Sequence, residues 1–147
     1  MRRAIVVNQN DSLETVLRIM MGEQRNSLIV INDTGEFVGS VNAIDIIKAV
    51  LPNYLEEDIV AARFANESLL KEDAEKARDT PVKDFMTTSI PTIGPDHSLL
   101  EAAAMAIQHG QGRITVVDEA NKPIGTITRT EIKQVIGALL ELPGAFE

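Results

Sequence analysis

Two short spacings in this sequence bring together groups with chemical use. Asn42 is followed three residues later by Asp45, and Thr128 three residues later by Glu131. A polar residue with an acid at the third following position marks a helix start. Each of the two side chains can satisfy a backbone N–H near the first turn that has no partner of its own. The same terminus carries a partial positive charge that suits an anion such as phosphate. A carboxylate there can accept from two adjacent hydroxyls. Capping and ligand binding are both open readings of these pairs. Basic side chains gather at the second one: Arg129 follows Thr128, Lys133 lies one helical turn further on, and Arg113 opens the preceding strand. Arginine suits bidentate contact with phosphate, whereas Lys133 reads as a solvated surface group. Around the first pair the supply is Arg25 and Lys48.

Other chemistry is poorly represented, and no enzymatic activity is expected. The two histidines, His97 and His109, lack metal-ligand spacing and a carboxylate cluster. Gly110-Gln111-Gly112 runs into a strand, so it is not a phosphate-gripping loop that opens a helix. Cysteine is absent, which removes thiolate nucleophiles, disulfides and thiolate metal sites. The net charge of −8 argues against nucleic acid as a partner and requires any anionic ligand to find a local basic pocket. Half of that negative excess falls in residues 52–81. Apolar runs such as Leu28 to Ile31 are far shorter than the roughly 20 residues that span a bilayer. Met1-Arg2-Arg3 is not followed by the apolar stretch of a signal peptide. No direct membrane insertion is expected, and the expected location is cytoplasmic.

The elements that must hold these residues come in duplicate. A shift of 86 residues places Leu28-Ile29-Val30-Ile31 on Ile114-Thr115-Val116-Val117, and Phe37-Val38-Gly39-Ser40-Val41 on Pro123-Ile124-Gly125-Thr126-Ile127. The shift also carries Asn42 onto Thr128 and Asp45 onto Glu131. Each copy reads as β-α-β-β-α. The opening strands are predicted at Ala4–Val7 and Ile90–Ile93. Helices follow from the spacing of Leu13, Val16, Leu17 and Met20, and of Leu99, Ala102, Ala103 and Ala106. Ser98 and Glu101 form a capping box at the start of the second of these. With aromatics at 3% and no tryptophan, the core must be aliphatic. Residues 52–81 match neither copy. There Leu55, Ile59 and Ala62 suggest a helical connector with one apolar and one charged face.

The second copy resembles a cystathionine-β-synthase-type (CBS) domain. The residues that carry the likeness are Pro81-Val82-Lys83-Asp84-Phe85-Met86, Thr92 to Ala102, Gly112 to Asp118 and Gly125 to Ile132. The first copy keeps the same order but starts late, because the counterpart of Val82 to Met86 would precede residue 1. The resemblance thus implies a first repeat over 1–51 without its opening segment, a charged connector over 52–81, a second repeat over 82–141 and a tail over 142–147. The implied fold is α/β (α+β), with two β-α-β-β-α repeats packed sheet to sheet in pseudo-twofold symmetry.

The implied function is that of a non-catalytic regulatory (Bateman) module. It would bind AMP, ADP, ATP or S-adenosylmethionine between the repeats and transmit occupancy as a change of shape. A homodimer and a fused or associated effector protein are implied as partners. No cofactor is required. The family's motif places a hydroxyl near phosphate and an aspartate on the ribose diol. Here Asn42 replaces the hydroxyl in one copy and Glu131 the aspartate in the other, while Asp45 and Thr128 conform. Arg113 and Arg129 are the phosphate candidates. Ile90, Ile114 and Val116, with Val30 in the first copy, are the candidates for an adenine slot, and each also reads as plain core. The incomplete motifs leave a ligand-free dimerisation or protein-interaction module as the alternative.

Overall fold

The computed structural model describes residues 3–51, 67–110 and 112–144. The first repeat holds β1 (Val6–Asn8), α1 (Leu13–Glu23), β2 (Ser27–Ile31), β3 (Phe37–Asn42) and α2 (Ala43–Val50). Helix α3 (Glu67–Ala77) follows and packs against α2. A 3₁₀ turn, Val82–Asp84, comes next, ahead of the strands of the second repeat. That repeat holds β4 (Thr92–Ile93), α4 (Leu99–His109), β5 (Arg113–Val117), β6 (Pro123–Thr128) and α5 (Arg129–Leu139). The fold is α+β with two repeats. Among the described residues there are two three-stranded sheets, ordered β1-β2-β3 and β4-β5-β6.

Local chemistry explains the helices that bridge the parallel strands. Ser12 accepts from the Thr15 N–H at 3.2 Å and Ser98 from the Glu101 N–H at 3.1 Å, so each helix starts on a serine cap. α1 buries Leu13, Val16 and Met20, spaced at three and four residues. α4 ends on Gly110, whose φ of 62° is the left-handed conformation glycine adopts without a Cβ penalty. The opening strands differ slightly from the sequence expectation. β1 lies at Val6–Asn8 because β2 sets its register, with Val7 opposite Val30. β4 keeps only Thr92 and Ile93, opposite Thr115 and Val116, so Ile90 lies outside it.

The aliphatic core obeys the repeat. In the second copy Ile93, Ala102, Ile114, Val116 and Ile127 form one cluster, with Met105, Ala106 and Ile132 packed on it. Their counterparts 86 residues earlier include Val7, Val16, Leu28, Val30, Val41 and Ile46, all buried.

By compactness the described residues divide into two units. One comprises Val6–Thr34 and Val38–Ser89; the other comprises the N-terminal residues through Ile5, Gly35–Phe37 and Ile90–Glu147. The stretch Val82–Met86, which opens the second repeat in the family pattern, is therefore bonded within the unit of the first. Leu13 N–H donates to Thr80 O at 2.9 Å, Val82 N–H to Asp11 O at 2.8 Å and Thr87 N–H to Ser40 O at 2.8 Å. Val82 is completely buried. The connector residues Leu55, Ile59 and Ala62 lie outside the described residues; the described part of 52–81 contains α3.

Two outcomes follow from this packing. Leu28→Ala and Ile114→Ala, at equivalent buried positions, are each expected to cost about 2–5 kcal/mol in urea unfolding, and Ile107→Ala, at 84% exposure, under about 0.5 kcal/mol. A Cβ at Gly39 would lie 2.5 Å from the Thr87 carbonyl oxygen. Gly39→Ala is therefore expected to destabilise by about 1–3 kcal/mol in the same measurement, by pushing the Thr87 backbone away.

Candidate functional site

Each repeat passes from its last strand straight into a helix, and the polar residues singled out in the sequence sit at these junctions. In the first repeat Asn42 ends β3 with an extended backbone (φ −120°, ψ 172°) and caps α2. Its side-chain oxygen accepts from the Asp45 N–H, and the Asp45 carboxylate accepts from the Asn42 N–H, both at 2.9 Å. The predicted capping box is present. Asp45 does more than cap: the Thr87 hydroxyl donates to its carboxylate, with the two oxygens at 3.1 and 3.2 Å. Thr87 also exchanges two backbone bonds with Ser40. Gly39 is needed for that close approach, which explains the glycine two residues before Val41.

In the second repeat Thr128 ends β6 and caps α5. The Glu131 carboxylate folds back and accepts from both the N–H and the hydroxyl of Thr128. The extra methylene of glutamate allows that double contact with its own cap. Arg113 stands directly opposite Thr128 in the β5–β6 ladder, and Thr115 opposite Thr126. Strand alternation puts these four on one face of the sheet and Ile114, Val116 and Ile127 on the other. Thr115, Thr126 and Thr128 are buried, and among the described residues no buried side-chain nitrogen or oxygen lacks a partner. Arg129, the first helical residue, is exposed.

The structure thus brings Arg113, Thr128, Arg129 and Glu131 together at one junction and Asn42 and Asp45 at the other. Ile114 and Val116 are at most 1% exposed inside the second core. Val30 is completely buried in the first repeat. Ile90 is half-buried in the approach to β4. Lys133 is exposed on α5. Arg25 instead borders a hollow of about 460 Å³ between α1 and α2, lined mainly by Leu17, Met20, Met21, Ile46 and Ile47. His97 contacts the Gly94 carbonyl oxygen at 3.1 Å. No group of three metal-ligating side chains occurs among the described residues, and no described helix is long and apolar enough to cross a membrane.

Two residues at the junctions had escaped sequence reasoning. Thr87 lies 42 positions from Asp45, beyond any local periodicity. Gly112 reads as part of a turn, yet the Arg129 side chain lies against it. The available signal for Gly112 was the repeat itself, since its counterpart is Asn26 and that of Arg129 is Ala43.

Comparison with known proteins agrees with this architecture. A relative from Methanocaldococcus jannaschii, an uncharacterized protein, is 25% identical over 147 residues, with 92% of this chain and 88% of the relative covered. Several other curated relatives are much longer, and the chain spans 32% or less of their length. Among solved structures, the Arabidopsis thaliana CBS-pair protein CBSX2 in complex with AMP superposes with a TM-score of 0.65 at 26% identity, covering 94% of this chain and 89% of that one. A CBS domain pair solved with 5-methylthioadenosine and S-adenosyl-L-methionine gives a TM-score of 0.68 at 19% identity, covering 95% and 92%. The family model of the CBS domain matches residues 1–52 and 82–138, and with two such segments the chain belongs to the CBS domain family as a tandem pair.

Proposed function

We propose that this chain is a regulatory module that binds an adenine nucleotide, or a related adenosine compound such as S-adenosylmethionine, at its strand–helix junctions. The observation that carries the reading is Asp45, which accepts a hydroxyl from Thr87 while it caps α2. Capping uses only part of a carboxylate's acceptor capacity, so the two roles are compatible. A ribose diol offers the same donor chemistry as the Thr87 hydroxyl. The AMP complex of the CBS-pair relative supports the ligand class. Occupancy transmits a signal only if the ligand favours one conformation over another, since equal affinity for both shifts nothing. The module has no catalytic step in this reading; it acts on a fused or associated effector.

A second reading, self-association without a ligand, is favoured by one observation. Large apolar side chains remain exposed along the helices: Leu17 and Met21 on α1, Ile47 on α2, Ile107 on α4 and Leu139 on α5. Leu17, Met21 and Ile47 border one hollow between α1 and α2, and exposed apolar patches mark interaction surfaces. Homodimerisation is compatible with ligand binding and forms part of the proposal.

Calorimetric titration with AMP, ATP and S-adenosylmethionine separates the readings. Micromolar binding of at least one is expected, together with a rise in melting temperature. No heat and no thermal shift with any of them would remove the sensor reading. The pair Asp45→Ala and Glu131→Ala is expected to abolish binding, to cost about 1 kcal/mol per lost cap, and to leave the molar mass in light scattering unchanged. Met21→Glu with Ile47→Glu is expected to lower that molar mass toward the monomer while the protein stays folded; an unchanged dimer excludes the α1–α2 face as its interface.

A further inference from the structure

Helix α5 buries none of its residues completely. Its end instead carries Ile136, Leu139, Leu140 and Leu142, each between 50% and 74% exposed. These side chains do not sit on a loose tail. Leu142 N–H donates to Gly137 O at 2.9 Å and Glu141 N–H to Ala138 O at 3.0 Å, with Glu141 left-handed at φ 57°. This pair of bonds closes a helix end and usually takes glycine at the left-handed position. It fixes the leucines as a projecting apolar knob. Glu141 stands there against two local costs, the positive φ and the negative end of the helix dipole.

The hollow between α1 and α2 is the complement of that knob. Met20 and Ile46, 4% and 7% exposed, form its floor; Leu17, Met21 and Ile47 form its rim, and the charged residue bordering it is Arg25. The second repeat does not present the same surface, because Leu17, Met20 and Ile47 correspond to Ala103, Ala106 and Lys133. Two hollows set face to face would leave each other unfilled and bring Arg25 toward its own copy. Two α5 ends set face to face would do the same with Glu141. Like charges disfavour both pairings, and opposite charges favour knob in hollow.

We propose that a second copy of this chain covers both surfaces: the end of α5 of one copy seats in the α1–α2 hollow of the other, and the contact is made reciprocally. First repeat thus meets second repeat across the dimer, and Glu141 lies against Arg25 of the other copy. The inference rests on the self-association reading above and names which surfaces meet. A twofold pairing makes the same contact twice, so any substitution in it counts twice.

The test is charge exchange on the intact chain, read as molar mass against concentration in light scattering. Met21 and Leu139 are 72% and 74% exposed, so substitutions there leave the interior untouched. Met21→Glu alone and Leu139→Lys alone should each weaken dimerisation by about tenfold or more. Combined in one chain they should restore it to within about threefold of wild type, because each introduced cation then meets an introduced anion across the contact. Arg25→Glu and Glu141→Arg form a second, independent pair with the same expected pattern: weaker singly, restored together. Melting temperatures separate loss of contact from loss of fold. A wild-type dimer that Leu139→Lys leaves intact, or combined variants that associate no better than the single ones, would overturn the knob-in-hollow pairing and leave self-association standing. A monomeric wild type would remove both.

Discussion

The constraint on which this structure depends is the absence of any loop between strand and helix at the end of each repeat. β3 ends at Asn42 and α2 begins at Ala43; β6 ends at Thr128 and α5 begins at Arg129. One residue therefore completes a sheet ladder and also caps a helix. Its backbone must be extended while its side chain turns toward the first helical N–H groups. The acid three residues later reaches back over the same spot. Each junction concentrates a polar cap, a carboxylate and a row of backbone donors at the rim of an aliphatic core. That concentration of polar groups follows from a folding requirement.

The two junctions start from the same geometry and are elaborated differently. Asp45 is short, and its carboxylate shares a hydroxyl donor from a segment 42 residues away. Glu131 is longer, and it spends its reach on its own cap. The second junction adds Arg113 across the ladder and Arg129 on the helix, whereas the first has Ser27 and Ala43 at those positions. The sheet face beside the second junction is correspondingly polar, with Thr115 where the first repeat has Ile29. Duplication has preserved the scaffold, and a few substitutions have given each copy a separate electrostatic character.

Most of the scaffold was legible in the sequence because it is local or repeated. The serine caps announce α1 and α4, and the aliphatic positions keep one register through both copies. The burial of Ile114 and Val116 was also within reach, since alternate positions of a strand face opposite ways. What could not be read was contact without periodicity. No local pattern joins Thr87 to Asp45, and the length of β4 depends on how much of it finds β5. Gly112 was misleading because a glycine beside a glutamine and another glycine has the composition of a turn. Its steric role appears only once the guanidinium has a position.

Another consequence concerns the segment that leads into the second repeat. Thr80 to Thr87 is stitched to the first repeat through Asp11, Leu13 and Ser40, with Val82 sealed inside, while the residues before Val6 group with the second. The first unit thus includes a stretch that lies beyond its own closing helix in the sequence. Genetic recombination that cut the first copy off at residue 51 would strip it of Val82, a piece of its own interior.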